Sequence, residues 1–292
     1  MLTFSLTMPQ PIRRAAVAGT WYSGRPEVLA QDIDQCLDQV HHAVDGEIVG
    51  LVVPHAGLMY SGPVAAYAYK AVAGRSYDVA VLVGPSHYVG FEGVAIQRTG
   101  SFETPLGRVA ISEVDAEAIA AAWPAVHDRP AAHAREHSLE MQLPFLQRVL
   151  PDTPIVPLVM GHQTPASVNR LADALVEALA TRRALLVASS DLSHFQDAPR
   201  AARLDAVVVD AINRFDPETL ARALAKFPNH ACGGGPIVTV MRAARDLGAA
   251  DARVVRYADS GDVSGDKRSV VGYLAAVLGT LSASRAEEAV PQ

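Results

Sequence analysis

Residues 48–57 read Ile48-Val49-Gly50-Leu51-Val52-Val53-Pro54-His55-Ala56-Gly57, a short apolar run rich in Val and Ile, stopped by proline, with a histidine directly beyond it. A short apolar run bounded by turn residues is the pattern of a strand buried on both faces. A helical pattern follows, with Pro63 at its first turn and Gly74 just past its end. Further apolar runs fall at residues 78–83, 155–160, 184–188, 252–257 and 269–278. Helix start signals lie between them: Ser112 with Asp115 as a capping box, Thr164-Pro165, Asp216-Pro217, and Pro236, whose helix ends at Gly248. Strands alternating with helices of about ten to fifteen residues imply parallel pairing through right-handed crossovers. The expected fold class is α/β, a single three-layer domain with a mostly parallel central sheet covered by helices on both faces. It should span residues 12–282, and residues 283–292 read as a disordered tail.

The composition supports a packed domain and excludes several functions. The chain has 292 residues, 50% of them hydrophobic, and only two cysteines, so disulfide-rich, collagenous and wholly disordered classes fall away. Its 25 basic and 31 acidic residues give a net charge of −6, and the basic residues cluster no further than the pairs Arg13-Arg14, Arg182-Arg183 and Lys267-Arg268. That argues against nucleic-acid binding. The apolar runs are too short to cross a bilayer. Residues 1–10 lack the pattern of a secretory signal, so a cytoplasmic location is expected. Cys36 continues a helical stripe of Val28, Leu29, Ile33, Leu37 and Val40 and reads as a core residue.

In an open α/β sheet, ligands bind beyond the carboxyl ends of the strands. Three segments carry a histidine there: Val53-Pro54-His55, Val83-Gly84-Pro85-Ser86-His87, and Ala188-Ser189-Ser190-Asp191-Leu192-Ser193-His194. Imidazoles converging on one edge suit a divalent metal, and Asp191 is placed to orient one of them from behind. Cys232 stands in His230-Ala231-Cys232-Gly233-Gly234-Gly235-Pro236, ahead of a helix whose N-terminus should lower its pKa and prepare it as ligand or nucleophile. His133-Ala134-Arg135-Glu136-His137 matches the inverted zinc-protease pattern. The competing readings of that stretch are a polar surface helix start, or Glu136, His137 and Glu140 as acid/base or supporting groups of the same pocket. The loop 259–268 is too irregular for an EF-hand and reads as solvated.

With these residues assembled, the chain resembles the Memo-like family, whose bacterial members are called AmmeMemoRadiSam system protein B. The matching segments are Ala18-Gly19-Thr20-Trp21-Tyr22, Pro54-His55-Ala56-Gly57, Gly84-Pro85-Ser86-His87 and Glu136-His137-Ser138-Leu139-Glu140. They continue through Ser189-Ser190-Asp191-Leu192-Ser193-His194, Cys232-Gly233-Gly234-Gly235-Pro236 and Ser260-Gly261-Asp262-Val263-Ser264-Gly265-Asp266. The resemblance implies a fold similar to the class III extradiol dioxygenases, whose non-haem iron is held by two His and a carboxylate, with a further His as acid/base. In the Memo-like family a Cys takes the carboxylate position. On this resemblance His55, His87 and Cys232 are the metal ligands and His194 is the additional active-site histidine. The implied cofactor is a divalent metal, Fe(II) foremost, with Cu or Zn admitted by the softer thiolate. His133 lies outside the matching block, which weakens the protease reading. The family name also implies association with radical-SAM and AMMECR-type proteins.

Three functions remain open at this level. The first is a non-haem metal-dependent enzyme, redox or oxygen-linked, acting on a small molecule, with His194 moving a proton and His137, Glu140 and Asp191 assisting. The second is a non-catalytic binding or adaptor protein that keeps a vestigial dioxygenase-like pocket. The third is a metal-free thiol hydrolase with Cys232 as nucleophile and His194 as base.

Overall fold

All six apolar runs form strands in the computed structural model, which describes residues 11–41 and 44–282. The expected tail at 283–292 and the reading of residues 1–10 concern residues outside these. The strands are β1 (Ile12–Arg13), β2 (Gly46–Val53), β3 (Val79–Pro85), β4 (Val94–Ile96), β5 (Ser101–Thr104) and β6 (Gly107–Ala110). They continue with β7 (Val126–Asp128), β8 (Ile155–Met160), β9 (Ala184–Ser189), β10 (His194–Gln196), β11 (Asp251–Asp259) and β12 (Val270–Leu281). The helices are α1 (Pro26–Asp38), α2 (Leu58–Val72), α3 (Glu113–Ala122), α4 (Pro130–His133) and α5 (Leu143–Val149). After them come α6 (Pro165–Leu179), α7 (Ala198–Asn213), α8 (Pro217–Lys226), α9 (Gly234–Asp246) and α10 (Gly261–Ser264).

The large sheet runs β10-β12-β2-β9-β3-β8-β4-β7, with β11 also on β12, and β1-β5-β6 form a small second sheet. Its centre, β2-β9-β3-β8, is parallel. Every residue of β3, β8 and β9 is buried, as expected of strands covered on both faces. One face carries α2, with α1 and α5 packed on it. The other carries α9 against β2, β3 and β9, with α6 and α8 packed on α9. The hydrophobic core occupies both interlayers as one cluster.

Three local expectations are corrected. The last two strands, β11 and β12, pair antiparallel. The connection between them holds only the single turn of α10, and a parallel return needs a crossover of a dozen residues or more. Helix α2 starts at Leu58 rather than at Pro63, which lies inside it. Ser112 does flank α3, but its hydroxyl donates to Asp115 Oδ2 at 2.5 Å and the Asp115 carboxylate also pairs with Arg182 at 2.9 Å. No capping box closes on the helix backbone. By contrast, Thr164 and Asp216 do accept the amides of Ser167 and Thr219 and cap α6 and α8. Cys36 is only partly buried, at the flank of the α1 stripe whose centre is Leu29, Ile33 and Leu37.

The register sets the functional edge. Val53 pairs with Ser189, Val83 with Ala188 and Pro85 with Met160, so β2, β9 and β3 end level and release His55, Asp191 and His87 at the same rim.

Candidate metal centre

His55, His87 and Cys232 converge at that rim, with their ligating atoms all within 4.8 Å of one another. His55 Nε2 lies 3.2 Å from Cys232 Sγ. The loop after β2 is fixed by Asp191, whose Oδ1 accepts the backbone amides of His55 at 2.7 Å and Ala56 at 3.2 Å. Asp191 therefore orients the backbone and not, as the sequence suggested, an imidazole. Its backbone carbonyl accepts the Cys232 amide at 3.2 Å and so joins the two ligand loops. Burial, only partly offset by the His55 amide, raises the Asp191 carboxyl to about 6. The Cys232 loop can approach β9 because Gly233 has no side chain; a Cβ there would stand 2.5 Å from Ser189 O.

The imidazole that Asp191 does not orient is held by Ser189. His55 Nδ1 lies 2.9 Å from Ser189 Oγ. The Ser189 hydroxyl gives its own proton to Ser138 O at 2.6 Å and accepts from Gln142 Nε2 at 2.8 Å, so the only complementary role left to His55 Nδ1 is donor. The Nε2 lone pair then faces Cys232. His87 repeats the arrangement with Glu136, which takes Nδ1 at 2.9 Å on Oε1 and the His87 amide at 2.6 Å on Oε2. The Ser138 amide adds a third bond to that carboxylate at 2.9 Å. Although burial works against it, the His87 hydrogen bonds hold Glu136 down at about 2. Both histidines thus keep Nε2 free with the opposite nitrogen spent on an acceptor, the arrangement that metal-bound imidazoles use.

His137 lies alongside. Its ring stacks on His87 with 4.4 Å between centroids and is covered on another side by Trp21 at 4.3 Å. His87, Glu136 and His137 form a second potential ligand group. Burial, followed by the neighbouring imidazoles, lowers His55 and His137 to about 3, so both rings are neutral and available as ligands near neutral pH.

His194 stands on the wall of a cleft of about 580 Å³ that it shares with His87 and Cys232. The next residue, Phe195, holds a left-handed backbone at φ 60° and is 75% exposed. A bulky residue in that region is rare, and such outliers gather at functional sites.

Glu140 sits apart from these groups. Its buried carboxylate pairs with Arg13 and accepts the Tyr22 hydroxyl at 2.5 Å and the amides of Ala16 at 2.7 Å and Val17 at 3.0 Å. It ties down the N-terminal segment that carries Trp21 to His137. The zinc-protease pattern does not assemble either: α4 ends at His133, whose ring is buried against Phe102 and absent from both ligand groups. The expected lowering of the Cys232 thiol is likewise corrected. Desolvation and the Asp191 carboxylate push it far upward and outweigh the helix N-terminus.

Sequence reasoning missed Ser189 and Gln142 as the holders of His55 and Trp21 as the cover of His137. The one available signal was that Ser189 ends its strand level with the histidine loops.

A family model described as Memo-like protein matches residues 13–277. The chain belongs to the Memo-like family. Among its relatives, a MEMO1 family protein of Pyrobaculum aerophilum is 40% identical over 275 residues, covering 90% of this chain and 97% of the relative. One from Thermotoga maritima is 37% identical over 278 residues, covering 91% and 99%. A crystal structure of an uncharacterized Escherichia coli K12 protein aligns with a TM-score of 0.44 at 16% identity, covering 78% of this chain and 99% of that one. For this Memo-like chain, no helix among the described residues is long and apolar enough to cross a membrane.

Proposed function

We propose that His55, His87 and Cys232 hold a divalent metal ion, with Fe(II) the first choice and Cu or Zn the alternatives, and that the protein is a metal-dependent enzyme acting on a small molecule. The observation that carries this reading is that the ligating atoms of His55, His87 and Cys232 lie within 4.8 Å of one another, with the Nδ1 of each imidazole held by an acceptor behind its ring. Two imidazoles and a thiolate suit soft or borderline divalent metals over Mg²⁺ or Ca²⁺. When bound, the ion would supply Lewis acidity and, as iron or copper, one-electron chemistry.

The remaining chemistry falls to the chain. Trp21 shields His137 from solvent, and Glu136 keeps His87 in one tautomer. His194 borders the open cleft, where its imidazole can take or return a proton at a molecule lying beside His87 and Cys232. With three ligands and a cleft on one side, the site leaves room for a substrate. By family association, radical-SAM and AMMECR-type proteins are proposed as partners.

Protein purified anaerobically should carry close to one metal ion per chain, and His55→Ala and Cys232→Ala should each lose most of it. Undiminished metal in both variants overturns the assignment. His194→Ala should keep the metal and lose turnover in a substrate screen.

A further inference from the structure

We infer that the groove between α7 and α8 receives the acidic end of the substrate, so that the molecule handled beside His55, His87 and Cys232 is a small organic anion with an apolar body. The inference rests on the metal reading above for what happens at the inner end, but the groove can be tested without metal.

The cleft beside the ligand group does not end at its own wall. Arg200, Leu204, Phe227 and His230 line both it and a second hollow of about 740 Å³, so the two adjoin. The second hollow is walled by one face of α7, from Arg200 through Arg203 and Leu204 to Val207, and one face of α8, from Thr219 through Arg222 to Lys226. Seven residues of helix at about 1.5 Å each give a groove of about 10 Å. Only residues 214–216 join α7 to α8, so the helices run antiparallel, with Arg200 and Lys226 at the cleft end and Val207 and Thr219 at the far end.

The groove is basic in an acidic protein. Arg200, Arg203, Arg222 and Lys226 all face it, no acidic residue lines it, and among the described residues none of the four is within 4.0 Å of a carboxylate. The acids at the two helix starts are committed elsewhere: Asp197 caps α7 through the Arg200 amide, Asp216 caps α8 through Thr219, and Glu218 pairs with Arg242. Four cations around a concave, partly apolar floor focus a positive potential, and three of them are guanidinium forks that match carboxylate or phosphate. Between this groove and the ligand group the lining turns aromatic, with Phe195 and Phe227 exposed at 75% and 66%. The order from inside outward is metal ligands, aromatic faces, cations. That order fits a molecule whose reacting part is inward, whose body is apolar and whose charge is outward. The cleft volume falls in the range that encloses small ligands, which favours a metabolite over a folded partner.

The test is isothermal titration of the full chain, metal-free and metal-loaded, with 1-naphthyl phosphate, 1-naphthoate, neutral 1-naphthol and 1-naphthylmethylamine. At least one of the two anions should bind tenfold or more tighter than the neutral and cationic probes, and the stronger anion identifies phosphate or carboxylate as the acidic end. The double variant Arg203→Glu/Arg222→Glu should lose that binding by tenfold or more, while Arg203→Lys/Arg222→Lys should stay within about threefold of wild type. All three proteins should melt alike, because both side chains are exposed. Equal anion binding in the charge-reversed variant overturns the proposal, as does equal binding of naphthol. Wild type that binds the anions but holds no metal overturns the metal assignment alone, and metal-replete protein that ignores the anions overturns the groove alone.

Discussion

His55 Nε2 and Cys232 Sγ meet at 3.2 Å although they are 177 residues apart in the chain, one from a strand end and the other from a helix entrance. The contact exists because Asp191 fixes both loops, the first through its carboxylate and the second through its backbone carbonyl.

The Ser189 hydroxyl behind His55 leads to the first prediction. Ser189→Ala removes the only acceptor at His55 Nδ1 among the described residues and leaves the ring free to take the other tautomer. Loss of such a supporting partner typically weakens metal binding by about 10- to 100-fold. A competition titration with a chromophoric chelator should show a drop in that range. Affinity within twofold of wild type would mean that Ser189 does not set the tautomer.

Glu136 does the same for His87 with a full charge. In Glu136→Gln the amide oxygen can still accept from at most two of the three donors, and the charge that makes His87 a stronger ligand is gone. Metal affinity should fall at least as far as in Ser189→Ala. Because the Glu136 bonds also pin the 136–138 segment, the melting temperature should fall as well. A loss of stability with unchanged metal affinity would assign Glu136 a purely structural role.

These two partners mark where sequence reading stops. His55 and His87 were legible because each follows directly on a buried apolar run, a local pattern. Their holders were not: Ser189 is 134 residues from His55, and only the parallel register of β2 and β9 brings them level. Glu140 shows the same limit from the other side. It stands four residues from Glu136 in the same segment, yet one carboxylate meets an imidazole and the other meets Arg13, 127 residues away. The antiparallel β11–β12 pair was readable in principle from its short connection, whereas the start of α2 was obscured by Pro63.

Glu140 therefore supports a prediction about stability. Its carboxylate neutralises a buried guanidinium and accepts two backbone amides and a phenol, so Glu140→Ala strands several donors without water. Breaking a buried pair by removing one partner costs about 3–5 kcal/mol. Chemical denaturation should show a loss of that size. Metal bound per folded chain should be unchanged, since neither ligand group includes Glu140. Loss of metal in protein that remains folded would place Glu140 in the site after all.

His133 gives an acid-side prediction that is independent of the metal. Its ring is 1% exposed, neither nitrogen has a hydrogen-bond partner among the described residues, and burial together with Arg13 lowers its pKa to about 4. In the unfolded chain a histidine titrates near 6.5. Above that pH both states hold the neutral ring and His133 contributes no pH dependence. Between about 6.5 and 4 the unfolded state takes up a proton that the native ring refuses, so stability falls as pH falls, by on the order of 3 kcal/mol at the acid end. His133→Leu removes this liability and fills a similar volume beside Phe102. Its unfolding free energy should therefore decline less than that of wild type between pH 7 and 4, with the two curves converging in shape above pH 7. Parallel curves across the acid range would show that His133 takes up its proton in the folded protein as readily as in the unfolded chain.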